Sequence, residues 1–504
     1  MLTYPGKDAA LPVIEQYLEG VYRSLVDSLA PLEPVAHFDA LLAVLRGVEE
    51  LINAVFIEIP DIDDAEAFAR LPLRYPDMGP LLSAAPLLAR HFEPAVVRRI
   101  LNAIVQLLAY SIASATEGGP PVAAQTQTIG EAALYLQERR RMLVAQLYAI
   151  PTTCVGSVRR HDMDGMTLFM GRVDQQWQVA VNMHRERLLA QVFPDYVLTH
   201  DDQLLTSNQT YQPLDTLALE PERLSILDIH AAQASIGPLA TEPLPAGQVF
   251  SVEEVRNQIA HTQAAFLEFN LANGAFTPLM AVLTWSLAFC TDGYRVQMAV
   301  SVLLDRLEAL PDPALARKRL LHEGGDLFES VNVFCPFIRL GDQAVSCLPL
   351  MTRFMNQARN VLLNHNRRYQ IRSGFIFETA VKERLKSFGI QCEPTKRIEK
   401  KEFDVIARYG DVLINIQCKN NEVDLTRMES SSKWLARHFV RLNAYYQRAL
   451  TKEEGREHLL RAKFKPVRVA HLVLTKSATP HNNPRVLSYA EIDQLPGRAV
   501  AYSA

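Results

Sequence analysis

At 504 residues the chain is too long for one ordinary domain, and 48% hydrophobic with 21% charged residues excludes a fibrous or disordered chain. The net charge of −4 conceals an asymmetry: residues 351–504 hold 28 Lys and Arg against 15 Asp and Glu, leaving 24 against 41 in 1–350. A basic C-terminal part suits a polyanionic partner.

The N-terminus has no basic stretch followed by an apolar core, so no secretory signal is expected. The most apolar run, Phe276 to Cys290, is shorter than the roughly 18 residues of a membrane span, so no membrane partner is expected. Cys154, Cys290, Cys335, Cys347, Cys392 and Cys418 show neither CxxC nor Cys/His spacing. They read as reduced thiols of a cytoplasmic protein.

In chain order, residues 1–116 read as a helical domain. Ile14, Tyr17, Leu18, Val21 and Leu25 recur on one helix face, and Leu41, Leu42, Leu45, Val48, Ile52 and Val55 repeat the pattern. A third helix is expected over Pro94 to Ser114. The stretch 117–128 is a linker or exposed loop. Residues 129–240 read as a mixed or helical segment. It opens on a helix from Gly130 to Ile150, stopped by Pro151, and continues with a hairpin turning at 161–165. Residues 250–365 read as a further helical domain. There Ser251 to Glu254 forms a capping box for a helix running to Gly274, and a last helix covers Pro349 to Asn364. Arg139-Arg140-Arg141 and Arg159-Arg160 could touch nucleic acid but read first as solvated clusters, and His161, His184 and His200 have no ligand spacing.

From residue 366 to 504 the pattern sharpens. Ser373 can cap a helix whose apolar face is Phe377, Val381, Leu385 and Phe388, with Gly389 as terminator. Glu378 lies beside that face, where a carboxylate needs a partner. A strand near Gln391 to Ile398, a basic turn at Glu399-Lys400-Lys401, and two further strands follow. The first carries Asp404 between Phe403 and Val405. The second, Ile414 to Lys419, alternates Ile414, Ile416 and Cys418 against Gln417 and Lys419. Two adjacent strands would thus bring an acid, an amide and an ammonium to one sheet edge, an arrangement suited to metal-dependent phosphodiester cleavage. A long helix from about Thr426 to Leu450 and a strand from Val467 to Thr475 complete the order.

Helix–strand–strand–strand–helix–strand with Glu378, Asp404 and Gln417-x-Lys419 resembles the PD-(D/E)xK nuclease superfamily, and Gln417 in place of an acid is most similar to its Mrr-type branch. The resemblance covers about residues 366–480. It implies a C-terminal α/β restriction-endonuclease-like domain with an αβββαβ core, which joins the mainly α-helical N-terminal region read from the apolar spacing to make a multidomain chain. It further implies Mg²⁺ (or Mn²⁺) held by Asp404, Gln417, the Cys418 carbonyl and Glu378, with Lys419 acting on the attacking water. The implied substrate is DNA; the alternatives are a catalytically inactive module of the same fold that binds nucleic acid or a protein partner, and an RNA-cleaving toxin. The implied setting is restriction or anti-phage defence, with 1–350 recognising target or partner. Duplex cutting implies a homodimer or a protein partner. Lys433, Arg437, Arg441 and Arg448 share a helix face that could track phosphates and reads equally as an ordinary solvated face; Lys396, Arg397, Lys400 and Lys401 could likewise touch phosphates at the strand turn.

Overall fold

The computed structural model describes residues 2–73, 79–116, 127–159, 169–201, 204–209, 228, 231–232, 239, 241–272, 274–325, 327–395, 397–421, 423–424 and 427–503. The expected turn at 161–165, most of the 117–128 linker, and Lys396 lie outside the described residues.

The N-terminal region is built of helices: α1 (Gly6–Leu29), α2 (Pro34–Asn53), α3 (Pro94–Thr116), α4 (Ile129–Thr153) and α5 (Gln175–Val192). The periodic positions Ile14, Leu18, Val21 and Leu25 are all buried on α1, as the spacing requires. Thr128 and Glu131 close a capping box at the start of α4. That helix runs three residues past the expected end at Ile150 and takes Pro151 into its final turn, at the loss of one i→i−4 bond. Three short antiparallel strands, β1 (Leu2–Pro5), β2 (Val197–Asp201) and β3 (Leu204–Ser207), form a small sheet beside α1. Arg140 and Arg141 are buried rather than solvated. Arg140 pairs with Glu49 and Arg141 donates to the Asn332 side chain at 2.9 Å, so the cluster holds the helical core together.

Residues 250–365 depart from the helical expectation. Helix α6 (Val252–Ala265) is capped by Ser251 but ends nine residues before Gly274, where Phe266 leaves the helical conformation at φ −117°; a short turn over Leu267–Phe269 then closes on Asn270 at a left-handed φ of 65°. Helix α7 (Phe276–Ser286) follows. Then β4 (Cys290–Thr291), β5 (Arg295–Ala299), β6 (Leu321–His322), β7 (Phe337–Leu340) and β8 (Gln343–Cys347) form a five-stranded sheet in the order β4-β5-β8-β7-β6. These strands are short, and their period of two is visible only over a few residues, as at buried Val296 and Met298 either side of exposed Gln297. Gly341 at φ 64° starts the two-residue turn between β7 and β8. Helix α8 (Leu348–Asn364) leads into the C-terminal part.

There, α9 (Arg367–Ser387) starts six residues before Ser373. Its cap is Asn366, which accepts from the amides of Arg368 and Tyr369. The expected strand over Gln391 to Ile398 is two pieces in different sheets, β9 (Gln391–Cys392) and β10 (Arg397–Ile398). Strand β10 pairs with β11 (Lys401–Glu402) across Glu399 and Lys400, both left-handed at φ 46° and 65°. Next come β12 (Val405–Tyr409), β13 (Val412–Lys419), α10 (Ser432–Glu454), α11 (Glu457–Phe464), β14 (Arg468–Thr475) and β15 (Val486–Ser488). The sheet order is β15-β14-β13-β12-β9, mixed in direction: β12 is antiparallel to β13, while β13, β14 and β15 are parallel.

One face of this sheet presents Ile414 and Ile416 to Phe377, Val381 and Leu385 of α9. The other carries Asn415, whose side chain donates to Glu453 of α10 at 3.0 Å. Buried Leu435, Phe439, Leu442 and Tyr446 of α10 join the same apolar cluster as Trp177, Leu188 and Leu189 of α5. The helix that flanks the C-terminal sheet is therefore also part of the N-terminal core, and the two parts of the chain are packed through it. None of the described helices is long and apolar enough to cross a membrane. All six cysteines are free thiols.

Candidate active site at the end of the C-terminal sheet

The antiparallel register sets Val405 opposite Ile416, so Asp404, one residue before β12, meets the next step of β13. Gln417 Nε2 and the Cys418 main-chain amide (2.9 Å) both donate to Asp404 Oδ2. Burial pushes the Asp404 carboxyl above its ordinary value, and Glu453 adds to the rise. The Lys419 ammonium, the Cys418 amide and Gln417 oppose it. A half-buried acid whose charged form is penalised by desolvation is a group that gains from a nearby cation.

Lys419, on the same strand face as Gln417, places Nζ 5.1 Å from the ring centroid of Tyr445 on α10. Cys418 points to the opposite face. Its thiol is pushed far above the ordinary range, first by burial, then by the charges of Asp404 and Glu378. Both carboxylates thus act on the same residue, Asp404 from β12 and Glu378 from α9. Of the four residues singled out in the sequence, Asp404 and Gln417 are hydrogen-bonded to each other, Lys419 is two residues further along the strand, and Glu378 acts through its charge on the Cys418 thiol.

The donor set is one hard cations use: two carboxylates and an amide, all oxygen. Among the described residues there is no cluster of three or more His, Cys, Asp or Glu placed to hold a metal. The set here has two such acids, with Gln417 as the third side chain. Gln417 turns its amino group to Asp404; a half-turn of the amide would present its oxygen instead. The residues fit a weakly charged divalent site.

The basic residues frame this centre from two elements. Arg397, Lys400 and Lys401 are exposed on the hairpin that leads into Asp404. Lys433, Arg437, Arg441 and Arg448 are exposed along α10, opposite its apolar face. Trp434 on the same helix stacks on His438 at 5.4 Å, with the Arg427 guanidinium 4.1 Å from its ring centroid.

Beside Glu378 opens a cleft of about 700 Å³, also lined by Ser373, Asn420, Trp434 and Lys476. Sequence reasoning missed Lys476, Tyr369 and Asp228 here. The available signal was Lys476 itself, one residue beyond an apolar strand parallel to β13. Its main-chain amide donates to the Lys419 carbonyl at 2.8 Å, placing it at the same sheet end. Ser373, expected as a cap, lies inside α9 with its hydroxyl on Asp228. His471 is a core histidine, bonded to Asn415 through Nδ1 (3.2 Å) and to Glu457 through Nε2 (3.0 Å). No family model matches the chain, and neither a curated protein nor a solved structure does.

Proposed function

We propose that the chain is a metal-dependent nuclease that hydrolyses DNA phosphodiester bonds, with a C-terminal domain of the restriction-endonuclease-like type. The observation that carries this reading is the convergence of Asp404, Gln417 and the Cys418 amide at one sheet end, with Lys419 beside them and Glu378 acting from α9. Asp404, Gln417, the Cys418 carbonyl and Glu378 would hold Mg²⁺ or Mn²⁺. Such an ion supplies a Lewis acid and a bound water of lowered pKa. Lys419 holds the attacking water by its ammonium and offsets charge on the phosphate. Tyr445, under that ammonium, limits where it can reach. The exposed arginines of α10 position the phosphate backbone without reading its sequence. Cutting both strands calls for a second copy or a partner protein. Restriction or anti-phage defence is the setting of such an activity in the cytoplasm, with 1–350 recognising the target or a partner. RNA is the alternative substrate.

One observation favours a second reading. The Gln417 amino group already satisfies Asp404 Oδ2 by hydrogen bonding, an arrangement that a site without a metal would also adopt. In that case the domain binds nucleic acid or a protein without cutting.

The test is incubation of supercoiled plasmid, linear duplex, single-stranded DNA and RNA with the purified chain in Mg²⁺, Mn²⁺ or EDTA. Metal-dependent cutting absent from Asp404→Ala supports the enzyme and names its substrate. Nucleic-acid binding that ignores both metal and Asp404, with no cutting, supports the second reading.

A further inference from the structure

Asp228 stands apart in the sequence from every element of the candidate site, yet its side chain is buried in the wall of the cleft beside Glu378. Three donors converge on its Oδ2: the Tyr369 hydroxyl at 2.8 Å, the Ser373 hydroxyl at 2.8 Å and the Lys476 ammonium at 2.6 Å. Lys476 also reaches the Ser373 oxygen, at 3.1 Å. Among the described residues, the other carboxylate oxygen, Oδ1, is buried with no hydrogen-bond partner. One side of the acid is crowded with donors and the other has none, which is a poor match for a purely structural ion pair.

The donors themselves form a rigid receptor. Tyr369 and Ser373 lie one helical turn apart on α9, so their hydroxyls emerge on the same face. Lys476 follows β14, and the register sets Thr475 against Lys419. Successive residues of a strand alternate faces. Lys476 therefore leaves the sheet on the α9 side and Lys419 on the α10 side, from neighbouring strands spaced by about 4.8 Å. An anionic strand lying across that sheet end would meet both ammoniums. Two hydroxyls and an ammonium directed at one point are the donors a phosphate oxygen takes.

We propose that Tyr369, Ser373 and Lys476 form a second phosphate-binding subsite of the cleft, occupied by the Asp228 carboxylate until a nucleic-acid phosphate displaces it. The identity of the phosphate as part of a nucleic acid rests on the nuclease reading; the anion site does not. Asp228 then acts as an internal competitor, and its ionic bond to Lys476 sets how strongly a substrate must bind to open the subsite.

Thermal unfolding with inorganic phosphate, in EDTA so that the metal site plays no part, tests the anion site. Asp228→Asn is expected to gain a phosphate-dependent rise in Tm. Wild type should need about tenfold more phosphate for the same rise, which keeps the test independent of how well the variant folds. Adding Lys476→Met should abolish the rise. No phosphate effect in either protein, or one that survives Lys476→Met, overturns the proposal. Short duplex DNA, also in EDTA, should bind Asp228→Asn at least about tenfold more tightly than wild type. A phosphate effect without tighter DNA binding overturns the assignment to a nucleic acid. Failure of the nuclease reading would show separately, as no metal-dependent cutting.

Discussion

The main-chain amide of Cys418 donates to the carboxylate of Asp404 at 2.9 Å, across the edge between two strands that run in opposite directions. This bond fixes the acid against the strand that carries Gln417 and Lys419, and the electrostatics of the centre follow from it. Burial opposes the charge of Asp404, and the amide, Gln417 and Lys419 sustain it.

The pH dependence of stability follows from that balance. Because the folded carboxyl titrates above its ordinary value of 3.8, the folded state binds a proton that the unfolded state has already lost. In metal-free protein the Asp404 contribution to stability therefore falls as pH rises from about 4 through its folded pKa, and stays low above it. Urea unfolding across this range should show a smaller fall for Asp404→Asn than for wild type. An identical slope in both would contradict the desolvation assigned to Asp404.

Gln417→Glu places a second acid directly against Asp404. Added ligand charge tightens divalent binding, so half-saturation by Mn²⁺ should fall by about tenfold. Without metal, the two carboxylates repel and the variant should unfold at a lower temperature than wild type. Calorimetric titration and a thermal scan in EDTA read the two effects. Unchanged Mn²⁺ affinity would remove Gln417 from the ligand set.

Arg437→Ala and Arg441→Ala each remove a cation from the exposed face of α10. If these side chains contact phosphates, each change should weaken DNA binding for all sequences and lower the salt slope of log K by about 1. Fluorescence anisotropy over a series of salt concentrations measures it. A slope equal to wild type would assign the stripe to solvent alone.

How legible this was in the sequence differs between its levels. The alternation of Ile414, Ile416 and Cys418 against Gln417 and Lys419 places each residue on the face it occupies, because a strand buried on one side has a period that survives in the sequence. The exposed arginines of α10 follow from helical spacing in the same way. The sheet over 290–347 was hidden by strands of two to five residues, too short for any period to stand out. Ser373 was misplaced because a serine before an apolar face looks like a cap, while Asn366 further upstream does that work. Asp228 and its bond to Lys476 span 248 residues, a separation for which local pattern carries no information. The burial of Arg140 and Arg141 was equally invisible, since their partners Glu49 and Asn332 come from other elements.

Phe439 tests the packing that joins the two parts of the chain. It is fully buried on α10, within the cluster that includes α5. Phe439→Ala should destabilise the protein by about 3–5 kcal/mol in urea unfolding. A loss below about 1 kcal/mol would mean that α10 is not held by that core.

The most direct test of the central claim is the single-turnover rate of cleavage of a bound DNA duplex at saturating Mg²⁺, for wild type, Lys419→Ala and Asp404→Ala. Lys419→Ala should still give the Mn²⁺-induced rise in Tm but cut about 10²–10⁴-fold more slowly, as expected when a group acting on the attacking water is lost. Asp404→Ala should lose both the rise and the cutting. Cleavage at the wild-type rate in either variant would contradict the assignment of the chemistry to this sheet end.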